Sequence, residues 1–205
     1  MNTRGELLFA QAIVLFEGET EEQALPIFAL AHWRMAPFMR SVVFAGAGGG
    51  SKYLPFLRVA ESMAIPWFIF SDGEAKTIND VSAALNSLGL SMPHNHVFVL
   101  PGGRNIEQYL IHEGYQEQLK AAVIVFEESG LANESHKLAK TKEINGWTDP
   151  KLLEYLTSRK TKLSPYWAET IAFLTDKRRI PGEIRKLFAA IDSVLTPVCE
   201  VKHEG

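Results

Sequence analysis

The sequence predicts an α/β fold in which a parallel four-stranded sheet is flanked by helices and followed by an all-helical extension. Short apolar runs alternate with helical patterns over the first 100 residues, which is typical of βαβ units. The runs are apolar at consecutive positions, as expected for strands buried on both faces. After Pro101 only helical patterns follow. We therefore predict a sheet domain over residues 1–110 and a helical domain or extension over residues 111–205.

The four predicted strands are rich in β-branched and aromatic residues. They lie at residues 12–16, 41–45, 65–70 and 96–100. A helical pattern separates each strand from the next, so consecutive strands are expected to run parallel with a helix crossing between them. In sheets of this kind the functional crevice lies beyond the carboxyl ends of the strands, so residues that directly follow the strands are the first candidates for a functional site.

The helices between the strands have recognisable starts. Thr20 and Gln23 have the spacing of a capping box, which predicts that the first helix begins at Thr20. Pro26 is expected to kink this helix, because proline lacks the backbone N–H. The second helix is predicted at residues 51–64 and the third at residues 77–88.

The extension consists of six helical patterns. Three of them have a proline near the first helical position, where its missing N–H costs least. One of these prolines, Pro165, predicts that the preceding basic segment is a loop. The patterns lie at residues 106–113, 115–128, 134–144, 150–159, 165–176 and 181–195.

Composition excludes several classes of protein. The single cysteine, Cys199, excludes an intramolecular disulfide framework and indicates a reducing, cytoplasmic location. No stretch reaches the roughly 20 apolar residues of a membrane span, so no membrane partner is expected. The net charge of −3 provides no global attraction to nucleic acid. Nucleic-acid binding would therefore depend on a local basic surface or on metal ions.

Acidic residues follow two of the predicted strands. Glu17 stands directly after the first strand and Glu21 lies four residues later, while Asp72 and Glu74 follow the third strand. Carboxylates are the preferred ligands of Mg²⁺ and Mn²⁺, and several carboxylates close together repel one another unless a cation neutralises them. A metal site is one interpretation. The other is structural, because acidic residues in a first helical turn complement the helix dipole and Asp-Gly is an ordinary turn.

These acidic residues resemble the signature of the topoisomerase-primase (TOPRIM) fold, which is a glutamate at a strand end and an acidic pair after a later strand. The matching residues are Glu17 in the run Glu17-Gly18-Glu19-Thr20-Glu21, and Asp72 with Glu74. Together with the glycine stretch after the second strand and the long helical tail, they look like the C-terminal nuclease region of OLD (overcoming lysogenization defect) endonucleases. The resemblance is best over residues 7–110, so the predicted sheet domain is interpreted as a TOPRIM catalytic domain.

The resemblance implies a metal-dependent endodeoxyribonuclease that cleaves DNA with two Mg²⁺ or Mn²⁺ ions per site. Glu17, Glu21, Asp72 and Glu74 would bind the metals, and two ions about 3.5 to 4 Å apart stabilise charge on the phosphate oxygens. Glu74 departs from the family pattern, in which the second acid is aspartate. OLD nucleases also carry an N-terminal ABC-type ATPase region, which this chain lacks, so such a region is an expected partner alongside DNA.

The family also implies a lysine near the scissile phosphate. We predict Lys162 for this role and Lys160 as the substitute, because both lie in the basic segment before Pro165. A helix start at that point could itself face an anion. The alternative is a solvated basic turn with no function.

Two glycine-containing loops follow other strands. The loop from Gly46 to Gly50 nearly matches the dinucleotide fingerprint, with Ser51 in place of the third glycine. After the fourth strand, Arg104 is a candidate phosphate contact and Glu107 a candidate additional ligand, although a helix start explains both equally well. The six histidines show no spacing typical of zinc sites.

Three hypotheses therefore remain open. The first is the nuclease, which requires Glu17, Asp72 and Glu74 around a cation. The second is a TOPRIM-like module that binds metal or nucleic acid without cleavage. The third is a dinucleotide-binding domain, in which Asp72 binds a ribose and Glu17 is dispensable.

Overall fold

The computed structural model describes residues 6–48, 52–130 and 132–195. At its centre is a parallel four-stranded sheet with the order β2-β1-β3-β4. The predicted fold class is thereby confirmed, and each strand lies within two residues of its predicted bounds. The strands are Ala12–Phe16 (β1), Val42–Gly46 (β2), Trp67–Ser71 (β3) and Val97–Val99 (β4).

The two central strands divide their side chains between two apolar cores. In β1, Val14 and Phe16 belong to one core and Ile13 and Leu15 to the other. This follows from the alternation of side chains across a strand. All five residues of β1 are buried, as are all five of β3, which explains why their sequences are continuously apolar.

Three helices connect the strands: Glu19–Trp33 (α1), Tyr53–Ser62 (α2) and Ala75–Asn86 (α3). The predicted capping box at Thr20 is wrong, because α1 begins earlier, with Gly18 as its N-cap and no side-chain cap. The Thr20 hydroxyl instead donates to Glu107 Oε1 at 3.4 Å. Helix α1 also continues through Pro26 to Trp33, so the proline does not end the helix.

The helical extension is confirmed in its order, with one correction that affects the site. Helix α8 begins at Lys160, five residues before the predicted start at Pro165, so the basic segment is the first part of a helix and not a loop. Pro165 lacks the N–H that would reach the Thr161 carbonyl, and the Ser164 hydroxyl donates to that carbonyl at 3.4 Å. The helices are Ile106–His112 (α4), Gln116–Glu128 (α5), Glu134–Asn145 (α6), Asp149–Ser158 (α7), Lys160–Ala172 (α8) and Gly182–Val194 (α9).

The helices cover both faces of the sheet unequally. Helices α2 and α3 supply the smaller core, which includes Leu57 and Val81. Helix α1 packs between the opposite face and α8, and Phe28 of α1 lies 6.2 Å from the ring of the buried Trp167 in α8. This larger core contains residues from both sides of position 110, where the domain division remains a prediction.

Over the described ranges, no helix is both long enough and apolar enough to cross a membrane.

Candidate metal centre

The carboxyl ends of β1 and β3 are neighbours, because these two strands pair directly in the sheet. Glu17 follows β1 and Asp72 follows β3, so the two acids predicted from strand ends lie on the same edge. Glu17 is half-buried, and Oδ1 of Asp72 is buried without a hydrogen-bond partner among the described residues. The sheet topology therefore brings together the two acids on which the metal hypothesis depends.

Glu21 returns to this edge from the first turns of α1. Its side chain is 5% exposed, and its Oε2 lies so close to the Gly18 backbone that a Cβ at position 18 would collide with it. Glycine at the strand-to-helix turn thus leaves space for a buried carboxylate beside Glu17. The structure brings Glu21 into the cluster and buries it, whereas a glutamate that served only the helix dipole could remain in solvent.

Glu107 is the fourth carboxylate at this edge. It lies in the first turn of α4, where a capping box fixes the helix start: Gln108 N donates to Asn105 Oδ1 at 2.9 Å, and Asn105 N donates to Gln108 Oε1 at 3.1 Å. Glu107 is only 1% exposed and accepts the Thr20 hydroxyl bond on Oε1. Its Oε2 is buried and has no hydrogen-bond partner in the described part of the chain.

Lys160 is the cation nearest to this carboxylate. Its Nζ lies 3.8 Å from Glu107 Oε2, and its side chain is 40% exposed while that of Glu107 is 1% exposed. Helix α8 is held in place beside α1 by the Thr161 hydroxyl, which donates to Glu19 Oε2 at 2.7 Å. The first turn of α8 therefore places a partly exposed ammonium at the rim of a buried acidic cluster.

The loops after β3 and β4 are joined by backbone contacts. Gly73 N donates to Arg104 O at 2.8 Å, and Leu100 N donates to Ser71 O at 2.9 Å. A Cβ at position 73 would collide with the Leu100 carbonyl oxygen, so only glycine permits this approach. The contact fixes the separation between the Asp72 backbone and the start of α4, which carries Glu107.

The negative charge of the acidic cluster is not fully neutralised by nearby positive charge. Burial raises the pKa of Glu21 to about 7, and the Glu107 and Glu17 carboxylates act in the same direction, against a backbone hydrogen bond and Lys160, which lower it. Burial likewise raises the pKa of Asp72 to about 8, with further contributions from Glu21, Glu107 and Glu74. Lys160 opposes both shifts and does not cancel them, so a further cation would be favourable here.

The raised pKa values predict how the stability of the metal-free protein depends on pH. In the folded protein the pKa of Glu21 is raised to about 7 and that of Asp72 to about 8, from ordinary values of 4.5 and 3.8. Between the ordinary and the raised values, the folded protein therefore binds more protons than the unfolded chain. Stability must then fall as the pH rises through that window. In EDTA we expect Tm to be about 5 °C lower at about pH 8.5 than at about pH 5.5. Thermal unfolding monitored by circular dichroism measures this difference.

The control is the double variant Glu21→Gln and Asp72→Asn, in which the two titrations are absent. Its Tm should change less between the two pH values than that of the wild type. An equal decrease in both proteins would assign the pH dependence to other groups.

Glu74 and Lys162, also predicted as site residues, lie further out. Glu74 is exposed and is the N-cap of α3. Its charge raises the pKa of Asp72 less than the charges of Glu21 and Glu107 do. Lys162 is exposed on α8, two residues beyond Lys160.

Arg104 is turned toward its own loop, since its Nη1 donates to Pro101 O at 3.0 Å. Of the predicted glycine loop, Gly49, Gly50 and the adjacent Ser51 lie outside the described residues.

The acidic cluster was tested as a metal site on its own geometry. Within residues 6–48, 52–130 and 132–195, no three acidic, histidine or cysteine side chains already converge as a metal cage. The donor chemistry nevertheless fits a hard cation, because Asp72 Oδ1 and Glu107 Oε2 are buried oxygens that accept no hydrogen bond from the described residues.

Sequence reasoning underestimated Glu107 and overlooked Tyr53. Glu107 was interpreted as an optional addition, although its position after a fourth strand end was the available signal. Tyr53 begins α2 just after the glycine loop, is fully buried, and lies close enough to Glu17, Glu21 and Asp72 for their charges to raise its pKa. Its position after the second strand was readable from the sequence, but the effect of the acids on its pKa was not.

Comparisons with known proteins agree with this architecture. Residues 8–73 match the family model of the overcoming lysogenization defect protein-like TOPRIM domain. The C-terminal region of the Xanthomonas campestris pv. campestris OLD protein superposes with a TM-score of 0.65 at 20% identity, covering 93% of this chain and 96% of that one. No curated protein sequence matches the chain.

A second solved structure gives the same result. The C-terminal region of the Burkholderia pseudomallei OLD protein has a TM-score of 0.59 at 17% identity, over 91% of this chain and 99% of that chain. The likeness extends beyond residue 73, since more than nine-tenths of the chain is covered in both comparisons. Residues 8–73 are therefore similar to the OLD-like TOPRIM domain, and the chain as a whole has the fold of an OLD C-terminal region.

Proposed function

We propose that this chain is a metal-dependent endodeoxyribonuclease that hydrolyses phosphodiester bonds of DNA with two Mg²⁺ or Mn²⁺ ions. The OLD-like TOPRIM domain supports the coarser part of this statement, a metal-binding module that acts on nucleic acid. The observation that carries the finer part is the acidic cluster of Glu17, Glu21, Asp72 and Glu107, in which Glu21 and Glu107 are buried and Lys160 lies at the rim.

The carboxylates of the cluster are the proposed metal ligands, and their positions suggest how they would share the ions. Glu17 and Asp72 would be the principal ligands, since they stand at adjacent strand ends. Glu21 and Glu107 would complete the set, because both are buried beside them. Glu74 is exposed, so it could bind only an ion that lies at the solvent side of the cluster. When bound, divalent ions lower the pKa of the attacking water and stabilise charge on the phosphate oxygens.

Lys160 would bind the substrate. Its ammonium is paired with Glu107 at 3.8 Å but remains 40% exposed, so it can contact a phosphate without leaving the cluster. A cation held at the place where negative charge develops stabilises a phosphoryl transition state. We therefore favour Lys160 over Lys162 for the lysine that the family resemblance implies.

Two further parts of the proposal concern partners. DNA is the proposed substrate, and its phosphates would approach the open side where Lys160 and Glu74 are exposed. The matched structures are C-terminal regions of OLD proteins, which supports an N-terminal ATPase region as a partner in the complete system.

Supercoiled plasmid provides the direct test. We expect nicked or linear product with Mg²⁺ or Mn²⁺ and none with EDTA, measured by gel electrophoresis. Glu17→Gln should reduce the rate about 100-fold, because it removes one charged ligand. Glu22→Gln is the matched control, since Glu22 is exposed on the same helix as Glu21, and it should leave the rate unchanged.

The outcome also separates the alternatives. Metal-dependent cleavage that persists undiminished in Glu17→Gln would overturn the site. DNA binding without cleavage under either metal would favour the non-cleaving module, and binding of NAD with no effect of Glu17→Gln would favour the dinucleotide-binding domain.

A further inference from the structure

Positive charge is concentrated where the short 3₁₀ turn Lys177–Arg179 meets the start of α9. The ten residues from Lys177 to Lys186 contain five cations and one acid, whereas the whole chain has 21 Lys and Arg against 24 Asp and Glu. This segment is therefore strongly positive in a chain with a net charge of −3. Its five cations, called the basic surface below, are Lys177, Arg178, Arg179, Arg185 and Lys186.

The guanidinium groups of the basic surface are held by backbone carbonyl oxygens. Arg178 Nη2 donates to Gly114 O at 2.6 Å, and the guanidinium lies 4.9 Å from the ring centre of Tyr115. Arg185 Nη1 donates to Lys177 O at 3.0 Å, which joins α9 to the turn before it. A guanidinium has five N–H donors, so bonds of this kind fix its position and leave other donors for an oxyanion.

Most of this charge is not neutralised by acidic side chains. Lys186 pairs with Glu183 at 2.7 Å, but no other cation of the basic surface has a carboxylate oxygen within 4 Å of a side-chain nitrogen in the described part of the chain. Asp176 is also near, and its Oδ1 accepts a hydrogen bond from the backbone N of Arg178 at 2.7 Å. Five cations thus face two neighbouring acids, and the surface remains positive.

The basic surface adjoins the helix that carries Glu107. Glu183 N, in the first turn of α9, donates to the Tyr109 hydroxyl at 3.1 Å, and Tyr109 lies two residues after Glu107 in α4. The Tyr115 hydroxyl donates to Arg178 O at 2.8 Å. Two tyrosine hydroxyls therefore attach the basic surface to α4 and to the turn that follows it, at a fixed position beside the metal centre.

The phosphate backbone of a nucleic-acid duplex is the partner that fits this chemistry. Duplex DNA carries one negative charge per about 1.7 Å of its axis, so a duplex bound at the metal centre also presents phosphates to the surface beside it. Proteins that bind single strands stack bases on aromatic side chains. Residues 177–186 include no aromatic side chain, which favours a duplex over an unpaired strand.

We propose that the basic surface binds the phosphate backbone of double-stranded DNA and so extends the contact between the chain and its substrate beyond the metal centre. This inference rests on the proposed function, because it takes DNA as the substrate. Contacts to phosphate position a duplex and carry no sequence information. Loss of the basic surface should therefore weaken binding to all DNA sequences alike.

The test is fluorescence anisotropy with a short labelled DNA duplex in EDTA, over a series of salt concentrations. The triple variant removes three exposed charges: Lys177→Gln, Arg185→Gln and Lys186→Gln. We expect its affinity to fall at least about tenfold in about 0.1 M salt. The slope of log affinity against log salt should become shallower by about 2 to 3, because each lost phosphate contact contributes about 0.9.

The matched control removes the same charge from lysines that are already paired with carboxylates of the helical part, and its affinity should stay within about twofold of wild type. Its substitutions are Lys137→Gln, Lys140→Gln and Lys151→Gln. Because Arg185 also bonds to a carbonyl, Lys177→Glu serves as a second test variant, in which only one exposed side chain changes. It should weaken duplex binding while the Tm stays that of wild type.

Several results would overturn the inference. They are a triple variant that binds the duplex within about twofold of wild type, an equal loss of affinity in the control, and no measurable duplex binding by the wild type. Tighter binding of single-stranded RNA than of the duplex by the wild type would assign the surface to RNA instead. Failure of the proposed function appears differently, as no plasmid cleavage with Mg²⁺ or Mn²⁺, and it leaves the binding measured in EDTA unchanged.

Discussion

Replacing Asp72 by asparagine is expected to reduce metal-dependent DNA cleavage about 1000-fold. The substitution preserves the size of the side chain and removes its charge, and Asp72 would supply a charged oxygen directly to the ions. Metal ions contribute several kcal/mol to such reactions, and each 1.36 kcal/mol is a factor of ten in rate. The rate is measured with supercoiled plasmid in Mg²⁺ or Mn²⁺.

The same substitution should not destabilise the metal-free protein. Burial and three neighbouring carboxylates raise the pKa of Asp72 to about 8, so its ionised form is unfavourable in the fold. Removing that charge should leave the Tm in EDTA unchanged or higher at neutral pH. Loss of cleavage together with a retained or raised Tm would distinguish a ligand from a structural residue. Cleavage by Asp72→Asn at the wild-type rate would reject the site assignment.

Lys160→Met is expected to reduce cleavage about 100-fold, whereas Lys162→Met should stay within about threefold of wild type. Methionine keeps the length of the apolar stem and removes the ammonium. Lys160 lies 3.8 Å from Glu107 Oε2 at the rim of the cluster, while Lys162 is exposed two residues further along α8. The two variants therefore form a matched pair on one helix.

Lys160→Met also leaves a buried carboxylate without its ion pair, so its effect on folding must be separated from its effect on the reaction. Lys160→Arg provides this separation, because it keeps the charge and should restore most of the rate. Tm values of all three variants should be measured together. A larger loss of cleavage in Lys162→Met than in Lys160→Met would reverse the assignment.

The sheet and its two principal acids were predictable because they depend on local patterns. Strand β1 is buried on both faces, so its sequence is apolar without interruption, and Glu17 follows it directly. The same argument placed Asp72 after β3. Pairing of β1 with β3 then brought the two acids to one edge.

The remaining parts of the site depend on contacts between distant residues, which a single sequence does not contain. Thr20 was interpreted as a helix cap, but its hydroxyl donates to Glu107 across 87 positions. The segment with Lys160 and Lys162 is predicted to be a loop before Pro165, and α8 in fact includes both lysines. A hydroxyl at position 164 makes that earlier start possible by satisfying a carbonyl that proline leaves free.

The bond from the Thr161 hydroxyl to Glu19 spans 142 positions and attaches the first turn of α8 to the first turn of α1. During synthesis the four carboxylates of the cluster, the last of them Glu107, therefore leave the ribosome before Lys160. A nascent or truncated chain that ends before residue 160 would contain the complete acidic cluster and no ammonium at its rim. The order of residues along the chain thus delays assembly of the full site until its last third has been made.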